Sequence, residues 1–291
     1  MSSTVAQLVL NGLVSGTACG ALAVSFAILY RVGGFYQFTV ASIYAIGAYA
    51  ARPEAATTTQ LLLAFVRGIC CAALAALVFE LLVFARFRRR RAPPLVPMLA
   101  SIGVVAIVEN VLAILFGPGL RVSPLVGLKI MSIGSAYLTQ LRLTAMLTCG
   151  GAAILCVFVL QRTDTGIVWR AIAASPELAA IKGIRVQRAI CFANLLAGTL
   201  AAIPACFAAL DSGSRPPMGN LPLLAAITAV LAVGSQTPAG WLLAGVGIGV
   251  LQQVAILLLT ARWAETFVFA LFCATLLFRK KVLIDGERGS T

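Results

Sequence analysis

The side chains able to do chemistry in this sequence are few, and most stand inside long apolar runs. Glu109 and Asn110 sit together midway along one run, Gln252 and Gln253 midway along another, and Gln37 and Ser42 follow Gly33-Gly34. Ionisable and amide groups at membrane depth are costly to bury, so each is a functional candidate. Passage of a polar solute is one chemistry that Gln37, Ser42, Glu109 and Asn110 support. They offer amide, hydroxyl and carboxyl groups, and a helix interrupted after Gly33-Gly34 would add free backbone groups able to coordinate a solute. The alternative is hydrogen bonding between helices. For Gln37, Glu109 and Asn110 both accounts stand; for Gln252 and Gln253 helix bonding is the better one. Glu80 reads as an interfacial partner of the arginines that follow it, and Asp211 and Arg215 as parts of an outer loop.

Other chemistries are excluded by what the sequence lacks. The chain has no His, and its eight Cys all fall in apolar runs without a C-x-x-C pair, so neither a zinc site nor a disulfide framework is expected. A Ser-His-Asp set cannot be assembled. No G-x-x-x-x-G-K-[ST] loop is present to cradle phosphates. The chain is therefore expected to be no enzyme and to bind no metal or cofactor. If it transports actively, the energy must enter through a partner.

The elements that position these groups follow from composition. Of 291 residues, 61% are hydrophobic and 11% charged, against about 25% charged in soluble domains. A span needs roughly 20 apolar residues. Nine apolar stretches are legible, at about 7–30, 33–51, 61–84, 95–116, 138–160, 189–210, 220–234, 239–260 and 264–278, the seventh and ninth short. The fold class expected is all-α: a polytopic transmembrane helix bundle of about eight to nine spans, forming a single domain over residues 1–291. The first stretch follows no basic segment and is too long for a signal-peptide core, so it reads as a retained span.

The net charge of +13 suits membrane orientation rather than nucleic acid. Basic residues concentrate in Arg86–Arg91, in the 161–188 loop (Arg162, Arg170, Lys182, Arg185, Arg188) and in the tail (Arg279, Lys280, Lys281, Arg288). With nine spans, holding these on the cytoplasmic side places the N-terminus outside and the C-terminus inside; eight spans would move the N-terminus inside and leave the basic loops cytoplasmic. Residues 117–137, with Gly117-Pro118-Gly119, then form an outer loop.

The 161–188 loop is more than a linker. Its Ala-rich segment from Thr165 to Lys182 reads as a short helix on the membrane surface, with Ser175 an N-cap ahead of Pro176. Small residues recur at helical spacing as Gly12, Gly16 and Gly20, and again as Gly245 and Gly249, ridges that let helix backbones approach closely.

Residues 175–184 read S-P-E-L-A-A-I-K-G-I. Glu177, Ala179 and Gly183 resemble the E-A-A-x-x-x-G coupling motif by which ABC importer permeases dock an ATPase, with Leu178 in place of one Ala, and Ser175 and Ala180 belong to the same implied coupling segment. The rest of the chain extends the resemblance. Leu10-Asn11-Gly12-Leu13-Val14-Ser15-Gly16 resembles the L-N-G-L-x-x-G opening of branched-chain amino acid permeases. Ala92-Pro93-Pro94, Ile102-Gly103, Asn110 and Leu115-Phe116-Gly117 follow in order. Ala229 to Ser235, with Pro238-Ala239-Gly240 and Ala244-Gly245, resembles the glycine-rich signature near the family's end. The match runs nearly the whole chain, and is to the first of the two homologous permeases of the branched-chain amino acid ABC importer (the Liv type).

The resemblance implies a bacterial inner-membrane importer subunit that works by alternating access. Its implied partners are a second homologous permease, two cytoplasmic ATPases, a periplasmic or lipid-anchored solute-binding protein and membrane lipid. Two departures stand out. The family's N-F-A-H-G-E appears as Gln37-Phe38-Thr39-Val40-Ala41-Ser42, without His or Glu, and Ala232 and Trp241 replace small positions of the signature. Urea, short amides and aromatic acids therefore remain open beside branched-chain amino acids. A standalone proton-coupled carrier using Glu109 is the alternative of a different class.

Overall fold

The computed structural model describes residues 2–53, 58–122, 130–133, 136–234, 237–259 and 266–277. The described chain is a helix bundle. Its helices are α1 (Ser2–Gly33), α2 (Val40–Ala50), α3 (Thr58–Phe79), α4 (Ala85–Arg89), α5 (Leu95–Phe116), α6 (Gln140–Arg162), α7 (Asp164–Ala174), α8 (Pro176–Ile181), α9 (Val186–Asp211), α10 (Asn220–Val233) and α11 (Pro238–Leu259). A twelfth, α12, spans Thr266–Leu277. Seven helical segments are long and apolar enough to cross a membrane, and α2 and α12 are shorter apolar helices. These nine fall on the nine apolar stretches of the sequence, and the protein is a multi-pass membrane protein. The basic tail residues Arg279, Lys280, Lys281 and Arg288 lie outside the described residues, as do residues 123–129.

Two of the stretches fold differently from a plain span. The second is helical only over Val40–Ala50; residues 34–39 are irregular. Gly34, at φ +77°, turns the chain out of α1, a conformation that only Gly adopts without strain. Eleven residues of helix rise about 16 Å, roughly half of the hydrocarbon thickness. The seventh is preceded by a 3₁₀ turn at Pro216–Gly219 that leads into α10. These two interrupted segments touch: a Cβ on Gly219 would fall on the backbone of Ala41. Irregular backbone at membrane depth is tolerated only where protein or a water-filled cavity surrounds it, and Thr39 and Ser42 are buried here.

The core is built around α1 and α9, whose windows are the most buried of the seven long segments. The glycine ridge of α1 seats directly on α11. Cβ atoms on Gly245 and Gly249 would fall on the backbones of Gly20 and Gly16, and Ser15 Oγ donates to the Gly249 carbonyl at 3.2 Å. With no apolar drive between helices in lipid, close backbone packing of this kind supplies the attraction. At the other extreme α5 is 11% buried along its window and shows Leu99, Ile107, Ile114 and Leu115 outward.

The connection between α5 and α6 holds an element not legible from composition. Ile130–Ile133 pairs antiparallel with Ala136–Thr139, with Ile133 opposite Ala136.

Candidate functional site

The surface segment after α6 folds as two helices rather than the single one expected over 165–182. Helix α7 buries Gly166, Trp169 and Ile172 against the bundle, and the Trp169 indole donates to the Ala189 carbonyl at 3.1 Å. The break comes at Ser175. Its extended backbone cannot continue α7, and its hydroxyl accepts from the Leu178 amide at 3.3 Å, starting α8. The end of α8 is equally defined. The Ile184 amide donates to Ala179 and the Gly183 amide to Ala180, at 3.1 and 3.0 Å, with Gly183 at φ +83°. That is a Schellman cap, and it requires a residue free to turn left-handed.

The caps fix which face α8 shows. Ala179 is buried, whereas Leu178 and Ile181 are 62% and 81% exposed. Three residues apart, these two share a face. Ala180 and Lys182 are exposed beside them. Glu177 reaches Arg91 at 3.4 Å, and Arg91 holds φ +50° at the end of the arginine cluster. Helix α8 is thus a short, rigidly capped element with an apolar outer face. It is tied to a second basic segment at the same end of the bundle.

Behind this surface lies a buried polar network. The helix running from Thr59 to Arg89 contains a π turn at Glu80–Phe84, and such turns cluster at functional positions. Glu80 is 1% exposed, and its carboxylate takes four donors. Arg88 donates at 2.6 Å to Oε1 and 3.4 Å to Oε2, Gln187 at 3.2 Å and Asn194 at 3.4 Å. Asn194 accepts in turn from Gln37 at 3.5 Å. The chain of contacts runs from the arginine cluster, through the first turns of α9 just after α8, to the irregular segment ahead of α2. There the Phe38 amide donates to Ser101 Oγ at 3.1 Å. A buried carboxylate is tolerated only when paired and hydrogen-bonded in this way.

Of the four pathway candidates, Gln37 and Ser42 lie inside the bundle and Glu109 and Asn110 on its periphery. Gln37 and Ser42 are each 1% exposed, and Ser42 Oγ has no hydrogen-bond partner. Glu109 accepts from Asn220, at the start of α10, at 2.7 Å. Asn110 is exposed and bonds back to the Ala106 carbonyl of its own helix. Gln253 and Gln252 each line a cavity, of about 360 and 230 Å³ respectively. Asn194, which joins Glu80 to Gln37, was not among the residues singled out from sequence. Its signal was available as a lone amide within the apolar run 189–210. The departure at Trp241 also has a local reason: the indole is buried, donates to Gly234 at 2.9 Å and lies under the Arg31 guanidinium.

Comparison with known proteins adds an independent line. Residues 8–276 match the family described as the branched-chain amino acid transport system permease component. The chain is similar to the high-affinity branched-chain amino acid transport system permease protein BraD of Pseudomonas aeruginosa, at 22% identity over 94% of this chain and 93% of that one. It is similar at 21% identity to the corresponding LivH proteins of Salmonella typhimurium and Escherichia coli, over 93% of this chain and 92% of theirs. No solved structure matches the chain.

Proposed function

The chain belongs to the branched-chain amino acid transport system permease family, and on that premise we propose that it is the membrane-spanning subunit of an ABC importer for branched-chain or related amino acids. It sits in the inner membrane with its N-terminus outside and its C-terminus in the cytoplasm, the orientation that keeps the basic loops inside. With a second homologous permease it forms the pathway. A solute-binding protein delivers the amino acid outside. Two ATPase subunits, carrying the ATP and Mg, close on the cytoplasmic loop and drive alternating access.

The observation that carries this reading is α8. A six-residue helix alone in water would not hold its shape. Here both ends are capped, and its outer face shows Leu178 and Ile181. Exposed apolar side chains on a rigid cytoplasmic element suit a cleft in a partner. A capped helix moves as a unit and so transmits the partner's closure. The Glu80 network lies along the way inward and links that motion to the interrupted segment at 34–39.

Uptake and ATP hydrolysis measured together in vesicles holding the whole importer test the reading. Proline at Gly183 cannot adopt φ +83°, so Gly183→Pro unseats the cap. Glu177→Arg sets a cation against Arg91. Either change leaves the membrane helices intact and lowers solute moved per ATP hydrolysed. Normal uptake per ATP in both variants would sink the docking assignment.

A further inference from the structure

The end of the bundle away from α8 holds a feature that the coupling machinery does not use. Helix α9 starts beside α8 and rises about 39 Å over 26 residues, so its last residue, Asp211, lies at the opposite end. There a cavity of about 360 Å³ opens between α1, α2, α6, α9 and α11. That volume is within the range of small-molecule pockets, roughly 300–1,000 Å³. On its wall, Arg142 and Asp211 meet through two parallel bonds, Nε to Oδ1 at 3.1 Å and Nη2 to Oδ2 at 3.0 Å. Asn11 Oδ1 is buried on the same wall and has no hydrogen-bond partner. Val14, Leu141 and Phe207 supply an apolar lining.

We propose that this cavity is a binding site for a free amino-acid zwitterion, with Arg142 taking the α-carboxylate and Asp211 and the Asn11 carbonyl oxygen taking the α-ammonium. A guanidinium and a carboxylate side by side match a ligand that carries both charges a few ångströms apart, and neither an anion nor a cation alone satisfies both. The helix ends reinforce the polarity. Arg142 stands in the first turn of α6, the positive end of its dipole, and Asp211 at the last turn of α9, the negative end. The pair itself is exchangeable. Its side chains are 43% and 37% exposed, and a half-exposed ion pair contributes little by itself, so a zwitterion can insert without loss of the fold. The remaining volume and its apolar lining take an aliphatic side chain. The amino-acid identity of the ligand rests on the importer reading above; the demand for a zwitterion rests on the geometry.

A zwitterionic lipid headgroup shares this chemistry, so the test separates the two sources. The purified chain is placed in nanodiscs of phosphatidylglycerol, and L-leucine, 4-methylpentanoate and 3-methylbutylamine are titrated by calorimetry. The expected result is binding of leucine and not of either single-charge analogue, unaffected when phosphatidylethanolamine is added. Arg142→Gln, Asp211→Asn and the double variant, which leaves no unpaired charge, weaken leucine roughly 10- to 100-fold, the value of a charge-assisted hydrogen bond. Their melting without ligand stays at the wild-type temperature. Equal binding by wild type and double variant, binding of the analogues as tight as leucine, or displacement of leucine by phosphatidylethanolamine overturns the site. Leucine uptake by cells carrying the whole wild-type importer is measured in parallel. Uptake with no binding in nanodiscs overturns the site and leaves the importer reading standing. Absence of uptake for every amino acid, branched-chain or other, overturns the importer reading instead.

Discussion

Replacing Gly249 or Gly245 by alanine adds one methyl group to the contact between α1 and α11, and the structure gives the cost. At Gly249 the new Cβ falls on the backbone of Gly16 and lies 2.8 Å from the Ser15 carbonyl carbon; at Gly245 it falls on the Gly20 backbone, 2.7 Å from its nitrogen. Carbon pairs settle at about 3.5–4.0 Å, so the two helices must part by about 1 Å. Backbone cannot swing aside as a side-chain tip does. Overpacking of this kind costs about 1–3 kcal/mol. At Gly249 the separation also stretches the Ser15 bond to the Gly249 carbonyl, worth about 0.5–1.5 kcal/mol. Less the up to about 1 kcal/mol of helix propensity that alanine gains over glycine, Gly249→Ala is expected to destabilise by about 1–4 kcal/mol. Two neighbours serve as controls. At Gly12 the nearest atom is Val250 Cα at 3.2 Å, and at Gly247 nothing lies within 4 Å. Gly12→Ala should cost under about 1 kcal/mol. Gly247→Ala should be neutral or gain up to about 1 kcal/mol of helix propensity. Unfolding of the purified chain in mild detergent, titrated with sodium dodecyl sulfate and followed by tryptophan fluorescence, measures the series. The reasoning is refuted if Gly249→Ala and Gly247→Ala unfold at the same midpoint.

Other perturbations probe the polar network and the bundle's exterior. Glu80→Ala strands Arg88 and removes the acceptor of Gln187 and Asn194. Breaking a buried pair costs about 3–5 kcal/mol, and Arg88, 26% exposed, can turn part of its charge to water, leaving about 2–3 kcal/mol. Glu80→Gln keeps an acceptor and should cost clearly less in the same titration; equal costs would mean that the network holds no charge-dependent stability. Asn110 is satisfied within its own helix yet exposed at membrane depth. Asn110→Leu should leave the isolated chain's stability within about 0.5 kcal/mol, while a photo-crosslinker at 110 labels the second permease in the assembled importer. Labelling of lipid alone would remove α5 from that interface.

Several local structures could be read in advance because their causes are local. Ser175 before Pro176 and Gly183 after an Ala-rich turn are a start and a stop written within ten residues, and the caps of α8 stand on those side chains. The strand pair of Ile130–Ile133 and Ala136–Thr139 escaped notice because eight residues between two long apolar runs leave little pattern to read. Glu80 was legible as a partner for arginine. Its other donors were not, because Gln187 and Asn194 lie more than a hundred residues away in the chain.

That the chain is a multi-pass helix bundle, and which family it resembles, can be read from residue order alone, since the length and apolarity of a span answer to the bilayer and not to the rest of the chain. Residue order also marks the glycine positions at which helices could approach. The folded packing alone brings Gly16 against Gly249, takes Gln37 to Asn194 inside the bundle while Asn110 stays outside, and sets Arg142 and Asp211 on one cavity. A helix's own periodicity fixes the faces it has, but which face turns inward depends on the packing of every other helix. Contacts between residues far apart in the chain exist only once that packing is complete.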